Sequence, residues 1–201
     1  MKIFAIVDLH SDLEQLDKVI KKIKREKPDV IVSGGDLSIF GTNHEIILIQ
    51  LDSLEIPFLA IHGNHEDVED MKIAEKSLSN LTQIHAKGNV IDDVLFLGYG
   101  DGGFLVEDYR LEKLIPKFEK LIKKNKDKKI VLVSHGPPYG TKTDMKSKDD
   151  HVGSKTLREF IKKYKPDVVI TGHIHECDGR SDRIGNTRII NPGYKGKFIE
   201  I

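Results

Sequence analysis

The chain has 201 residues, 38% of them hydrophobic, and 32 basic side chains balance 32 acidic ones for a formal net charge of zero. That composition folds, which excludes wholesale disorder, and the balanced charge gives no overall pull toward nucleic acid or an anionic membrane. Nine histidines stand beside a lone cysteine, Cys177, so an internal disulfide framework and a thiolate-rich zinc site are excluded and any metal must be held by imidazole and carboxylate.

The length predicts one domain over residues 1–201. The opening MKIFAIVDLH is interrupted at Asp8 and does not read as a secretory signal. No apolar run reaches the length of a bilayer span, so a cytoplasmic protein without membrane attachment is expected. In chain order, the pattern predicts a strand over 2–7 (KIFAIV), then a helix over 13–24 capped by Ser11 or Asp12, with Leu13, Leu16, Val19, Ile20 and Ile23 at helical spacing. Strands come next at 29–32 (DVIV), 58–61 (FLAI) and 94–97 (VLFL), then a helix at 111–124, a strand at 129–133 (KIVLV), a helix at 154–163 and a strand at 167–170 (DVVI). Several strands are apolar at successive positions, as strands buried on both faces are. The segments 187–190 and 197–201 flank Asn191-Pro192-Gly193 and predict a terminal antiparallel pair. Strand–helix alternation predicts an α/β sandwich. One echo stands out: KPDVIVSG at 27–34 and KPDVVITG at 165–172, the same strand entry and exit used twice.

The chemistry lies just past the strand ends. Asp8-Leu9-His10, Ser33-Gly34-Gly35-Asp36, His62-Gly63-Asn64-His65-Glu66, Ser134-His135-Gly136 and Thr171-Gly172-His173-Ile174-His175 each end a strand in Asp, Asn or His, usually beside glycine. In α/β sheets the carboxyl ends of strands meet at the ligand crevice, and glycine lets the backbone approach a ligand closely. Two carboxylates, a carboxamide and several imidazoles without sulfur suit Mn, Fe, Zn or Ni better than all-oxygen Mg or Ca cages. Seven such ligands exceed one tetrahedral ion and suit two ions sharing a carboxylate, a recurrent arrangement for phosphoester hydrolysis.

These motifs, in this order and over residues 8 to 175, resemble the calcineurin-like metallophosphoesterases. His135–Thr141 (HGPPYGT), Val152-Gly153-Ser154, Gly172–Glu176 (GHIHE) and Asn191-Pro192-Gly193 are similar to the Icc-related branch. The resemblance implies a four-layer sandwich of two stacked mixed β-sheets flanked by helices. It implies one divalent ion held by Asp8, His10, Asp36 and His175. A second would be held by Asp36, Asn64, His135 and His173, with Asp36 bridging. A metal-bridging hydroxide would attack phosphorus, and His65 would serve the leaving oxygen as the catalytic acid. The resemblance breaks at Ile39, where many members carry a second Asp that orients the equivalent of His65; Glu66 and Asp67 are the nearby substitutes.

The remaining candidates read as ordinary structure. His44, His85 and His151 are expected at the surface or in loops, and His62 in the core or behind the ligands. Cys177 and the Lys-rich 113–129 stretch are expected to be incidental, and Gly98–Gly103 a tight turn rather than a nucleotide cradle. The polar 137–153 stretch is expected to wall the site, with Tyr139 bracing it; Arg180 and Arg183 are the candidate phosphate clamps. The expectation is a metal-dependent hydrolase of a small phosphate ester, a phosphodiester or (cyclic) nucleotide ahead of a monoester, with manganese the first metal to try. The alternatives are a nuclease, disfavoured by the zero net charge, and a metal-binding scaffold without turnover. Substrate-binding residues and oligomeric state are left unassigned.

Overall fold

A computed structural model describes residues 1–101, 103–148 and 150–201. The elements run β1 (Lys2–Ile6), α1 (Leu13–Glu26), β2 (Val30–Ser33), α2 (His44–Asp52), β3 (Phe58–Ala60), α3 (Val68–Ser77), β4 (Leu81–Gln83), β5 (Gly88–Ile91) and β6 (Val94–Tyr99). The second half continues with α4 (Tyr109–Lys124), β7 (Lys129–Ser134), β8 (Met145–Ser147), β9 (Asp150–His151), α5 (Lys155–Tyr164), β10 (Val168–Ile170), a 3₁₀ turn at His175–Cys177, β11 (Ser181–Ile184), β12 (Thr187–Ile190) and β13 (Lys197–Glu200).

Two mixed sheets stack. The first has the order β13-β1-β2-β3-β4 and the second β11-β12-β10-β7-β6-β5. The doubly apolar runs have a simple cause. In β1 and the residue after it, Ile3, Ala5 and Val7 point into the core between the sheets, where they join Val131, Val133, Val168 and Ile170 of the second sheet. Phe4 and Ile6 point the other way, into a core with Leu16, Val19 and Ile23 of α1 and Ile47, Leu48 and Leu51 of α2. The second sheet repeats the scheme, with Ile130, Leu132 and Val169 packed on Leu111 and Phe118 of α4 and Leu157, Phe160 and Ile161 of α5. The result is the expected four-layer α/β sandwich, and alternate side chains must be apolar on both faces.

The KPD echo has a physical basis. Lys27 and Lys165 end their helices in the left-handed conformation, and each amide donates back to the helix at 2.8 Å (to Ile23 and Ile161). Asp29 Oδ2 then accepts from the Lys2 amide at 2.7 Å, and Asp167 Oδ2 from the Ile130 amide at 2.8 Å. Each aspartate thereby sets a new parallel strand against its neighbour, once in each sheet.

The terminal pair is a correction. β12 pairs antiparallel with β11 and parallel with β10, whereas β13 leaves for the other sheet and pairs antiparallel with β1. The hairpin signal lies upstream, at the two-residue Gly185-Asn186 turn between Ile184 and Thr187. Asn191-Pro192-Gly193 is the crossing between sheets: buried Asn191 accepts from the Gly193 amide at 2.9 Å, and the Gly193 carbonyl accepts from the Val7 amide at 3.4 Å. The sequence pattern also missed α2, whose IILIQL core is apolar nearly all round, together with α3 and the short strands β4, β5, β8, β9 and β11. Of the glycine-rich 98–103 stretch, Gly98 and Tyr99 are still strand and Gly102 lies outside the described residues, as does Asp149 in the 137–153 wall.

Candidate metal centre and active site

The five strand ends meet at one rim, drawn from both sheets. Asp8, His10, Asp36 and His173 all adopt left-handed backbone, with φ of 55°, 49°, 53° and 69°. Such angles are uncommon away from glycine and cost about 1–2 kcal/mol per residue, and they concentrate where side chains are forced toward a ligand. The conformation is held by cross-links between the two loops: the Asp8 amide donates to Gly35 O at 3.1 Å, His10 to Asp36 O at 3.0 Å and Ser11 to Leu37 O at 3.0 Å. Glu66 ties the next loop in. Its carboxylate accepts from the amides of Asp36, Ser38 and Gly63, each at 2.8 Å. Gly63 is dictated by contact, because a Cβ there would overlap Asp36 Oδ1. At Gly172 it would sit 2.7 Å from Asp8 Oδ2.

Three groups of possible ligand atoms, each within 4.8 Å, result: Asp8, His10 and His175; His10, Asp36 and His65; and Asp36, His135 and His173. Asp36 is shared by the second and third groups, and His10 by the first and second. Asn64 joins the last, its Oδ1 lying 3.0 Å from His135 Nε2 and 2.8 Å from His173 Nδ1. All seven predicted ligands and His65 are therefore brought together.

The electrostatics show what this cluster lacks. His135 Nδ1 must donate to the Gly34 carbonyl at 2.9 Å, so Nε2 is aimed at Asp36 Oδ2 (3.4 Å) and Asn64 Oδ1. In the protein alone a second proton fills that gap. Complete burial opposes it, but the hydrogen bond and charge of Asp36 prevail and raise the His135 pKa to about 9. Burial likewise opposes ionisation of Asp36, and His135 prevails, holding it at about 2. Asp8 has no such partner: burial pushes it up to about 7. Its Oδ2 accepts from the His173 amide at 2.9 Å, while Oδ1 is buried without a partner among the described residues, as is His173 Nε2. Burial, then the nearby His135 charge, pushes His173 down to about 4, and His10 Nε2 faces His175 Nε2 at 2.9 Å. Carboxylate oxygens and imidazole nitrogens gathered this closely without sulfur, with Asp8 Oδ1 unpartnered among the described residues, fit divalent cations.

His65 is held differently from the expectation. Neither Glu66 nor Asp67 orients it: Glu66 clamps backbone, and Asp67 caps α3 through the Glu69 amide at 2.7 Å. Its Nε2 lies 3.9 Å from Asp36 Oδ2, its Nδ1 is buried without a partner among the described residues, and its ring packs against Phe40 (centroids 4.5 Å apart) and His10 (5.1 Å).

Other candidates fall outside the centre. His62 and His85 pack ring to ring at 4.5 Å behind it, and burial, then the neighbouring His85, pushes His62 down to about 4. His44 is buried at the start of α2 rather than exposed. His151 Nδ1 meets buried Asp144 at 2.8 Å, and Asp144 also accepts from the Gly140, Thr141 and Gly153 amides, which knots the 137–153 wall. In that wall the Tyr139 backbone carbonyl accepts from Arg158 at 2.7 Å, and the Tyr139 ring lies against His151 with centroids 5.7 Å apart. Arg183 reaches Asn186 O on the β11–β12 turn, which engages it away from the ligand cluster. Cys177 is buried, its thiol donating to Met145 O at 3.3 Å. Sequence reasoning missed Phe40 and Phe104 at the rim, because an isolated aromatic in a loop carries no periodic signal.

Residues 1–177 match the calcineurin-like phosphoesterase family model. An uncharacterised protein of Methanocaldococcus jannaschii is 34% identical over 99% of this chain and 91% of its own length. The Arcobacter nitrofigilis protein named "Probable glycerophosphodiester phosphodiesterase GpdQ" is 28% identical over 84% of this chain and 64% of its own. A Thermus thermophilus crystal structure superposes with a TM-score of 0.77 at 18% identity, covering 96% of this chain and 90% of that one, which is a likeness of fold. A family match of that extent and a relative that similar over nearly its whole length carry one conclusion: the chain belongs to the calcineurin-like phosphoesterase family.

Proposed function

We propose that the chain hydrolyses a small phosphate ester, a diester in preference to a monoester, using two divalent transition-metal ions. The observation that carries this reading is the chain of shared ligands: His10 joins the Asp8–His175 group to the Asp36–His65 group, and Asp36 joins that one to the His135–His173 group. Asp8, His10, Asp36 and His175 would hold one ion, and Asp36, Asn64, His135 and His173 the other. Bound there, the ions supply a lowered pKa for attacking water and neutralise charge on the phosphoryl oxygens. The protein's part is to hold its ligands in a strained, pre-formed cage, so that little reorganisation is left for the reaction. His65, at the edge of the Asp36 group and half-buried, is placed to give a proton to the leaving oxygen through Nε2, with packing rather than a carboxylate fixing its ring.

The 201 residues are proposed to work as one unit, because neither sheet alone supplies a ligand set. The zero net charge favours a small substrate over a nucleic acid. Among the described residues no helix is long and apolar enough to cross a membrane, and the lone buried thiol suits the reducing cytoplasm.

The test is hydrolysis of a nitrophenyl phosphodiester with added Mn²⁺, with the matching monoester in parallel. Asp36→Ala and His135→Ala are each expected to lose more than ~100-fold in rate, in line with the loss of a metal ligand. His65→Ala should lower kcat by about 10²–10⁴-fold while leaving metal content intact. Unchanged rates in Asp36→Ala and His135→Ala would refute the metal-centre reading. Full metal loading without turnover of any ester would leave a binding scaffold.

A further inference from the structure

Two large apolar rings stand exposed at the rim of this centre. Phe40 is 79% exposed and Phe104 57% exposed, and neither belongs to any of the three hydrophobic cores. Phe40 also sits in left-handed backbone, φ 47°. A bulky residue with that φ is a strained choice, and leaving its ring in water forgoes the burial that would offset the strain.

The loop that presents Phe40 is fastened, not loose. The Ile39 amide donates to Ser11 Oγ at 2.9 Å, Ser11 Oγ donates to the Thr42 carbonyl at 2.6 Å, and the Thr42 amide donates to Ile39 O at 2.9 Å. Ser11 comes directly after ligand candidate His10. The same short stretch therefore fixes an imidazole in the centre and a phenyl ring at its lip. The Phe40 ring lies 4.5 Å from the His65 imidazole, at 58° to it. Phe104 holds the same relation to His173, 4.5 Å and 61°, with Lys146 Nζ 5.4 Å from the Phe104 ring centroid. One aromatic wall thus adjoins the proposed leaving-group acid, and the other, carrying a cation, adjoins a ligand of the second ion.

We infer that Phe40 determines specificity by stacking on the leaving group, so that the substrate is a phosphoester whose departing alcohol carries a flat apolar ring, aryl or nucleobase. The inference rests on the phosphoesterase reading above. An exposed ring held rigidly offers a π-face at little entropic cost, and a flat partner gains most from it. A glycerol-like leaving group would gain almost nothing from the same surface. His65 beneath the ring places that stack beside the oxygen to be protonated, which also makes Phe40 a positioning neighbour of the acid.

The test uses metal-loaded protein and two non-hydrolysable monoanions titrated by calorimetry, benzyl(methyl)phosphinate and propyl(methyl)phosphinate, in which CH2 replaces the leaving oxygen of a phenyl and an ethyl ester. Binding avoids the difference in leaving-group reactivity between the two esters. The phenyl analogue should bind about tenfold more tightly, the size of one aromatic stack. Phe40→Ala should bring that ratio below about twofold with the affinity of the ethyl analogue unchanged, and Phe40→Tyr should keep it, because the face is retained. Phe40 is exposed, so its removal leaves the core intact. An adenosine methylphosphinate with CH2 in place of the 5′ oxygen separates the sources: tighter than the phenyl analogue assigns a nucleobase, weaker assigns a simple aryl group. A ratio near one in the unaltered chain, or a ratio that survives Phe40→Ala, overturns the inference. Absence of nitrophenyl diester turnover would instead count against the phosphoesterase reading, so the two failures are distinguishable.

Discussion

Asp8 shows most clearly what the centre costs the metal-free chain. Its carboxyl is nearly inaccessible, one oxygen has no partner among the described residues, and burial lifts its pKa from 3.8 to about 7. A group with a raised folded pKa favours folding while protonated and loses that advantage as pH rises through the folded value. For Asp8 the loss begins above 3.8, is complete above about 7, and amounts to about 4 kcal/mol. The His135 contribution, present below 6.5, disappears as pH passes about 9. The metal-free chain should therefore weaken toward alkaline pH, and metal binding, which needs both groups deprotonated, should strengthen. The gain in Tm on adding Mn²⁺ is expected to grow steadily from about pH 5.5 to about pH 8.5, and a flat gain would contradict the assignment of Asp8. Asp8→Asn should raise the metal-free Tm at about pH 8 and forfeit most of that gain. The residue types at the strand ends are legible in the sequence because five Asp-, Asn- or His-bearing ends follow one another, although each alone would read as an ordinary turn. Their left-handed backbone and their pairing are not, since both arise from contacts between loops far apart in the chain.

At the scale of elements, strands and amphipathic helices are readable wherever burial is asymmetric or complete. α1 and α5 present one apolar stripe and cap with Asp12 and Ser154, whose side chains accept from the Gln15 and Leu157 amides. α2 escapes because both its faces are apolar, with Ile46 and Ile49 left half-exposed. The two KPD entries make a symmetrical prediction. Asp29→Ala and Asp167→Ala each remove a carboxylate accepting a neighbouring strand's amide, so each should destabilise by about 1 kcal/mol. The sites lie in different sheets, so the double variant should show the sum in denaturant titration. A markedly non-additive double would mean that the echo couples the sheets.

For the whole molecule, the crossing at Asn191–Gly193 matters most. It sends β13 to the edge of the first sheet, where Ile199 is 3% exposed and packs into the core between the sheets. Ile199→Ala is expected to cost about 2–5 kcal/mol, whereas Val90→Ala on the exposed edge strand β5, 43% accessible, should stay within about 0.5 kcal/mol. Equal effects in thermal unfolding would contradict the placement of β13. A terminal hairpin would have left the candidate ligands on two sheets with one fewer covalent tie between them.

The sequence by itself determined the α/β sandwich, the five strand ends that carry the candidate ligands, and the family. Each of these is written in short-range pattern: successive apolar residues, glycine breaks, and ligand types at fixed spacing. Only the tertiary structure decided which sheet the last strand joins, that Glu66 clamps loops while packing holds His65, and that Phe40 and Phe104 stand at the rim. Those outcomes depend on which distant segments meet, and a local pattern holds no record of such contacts.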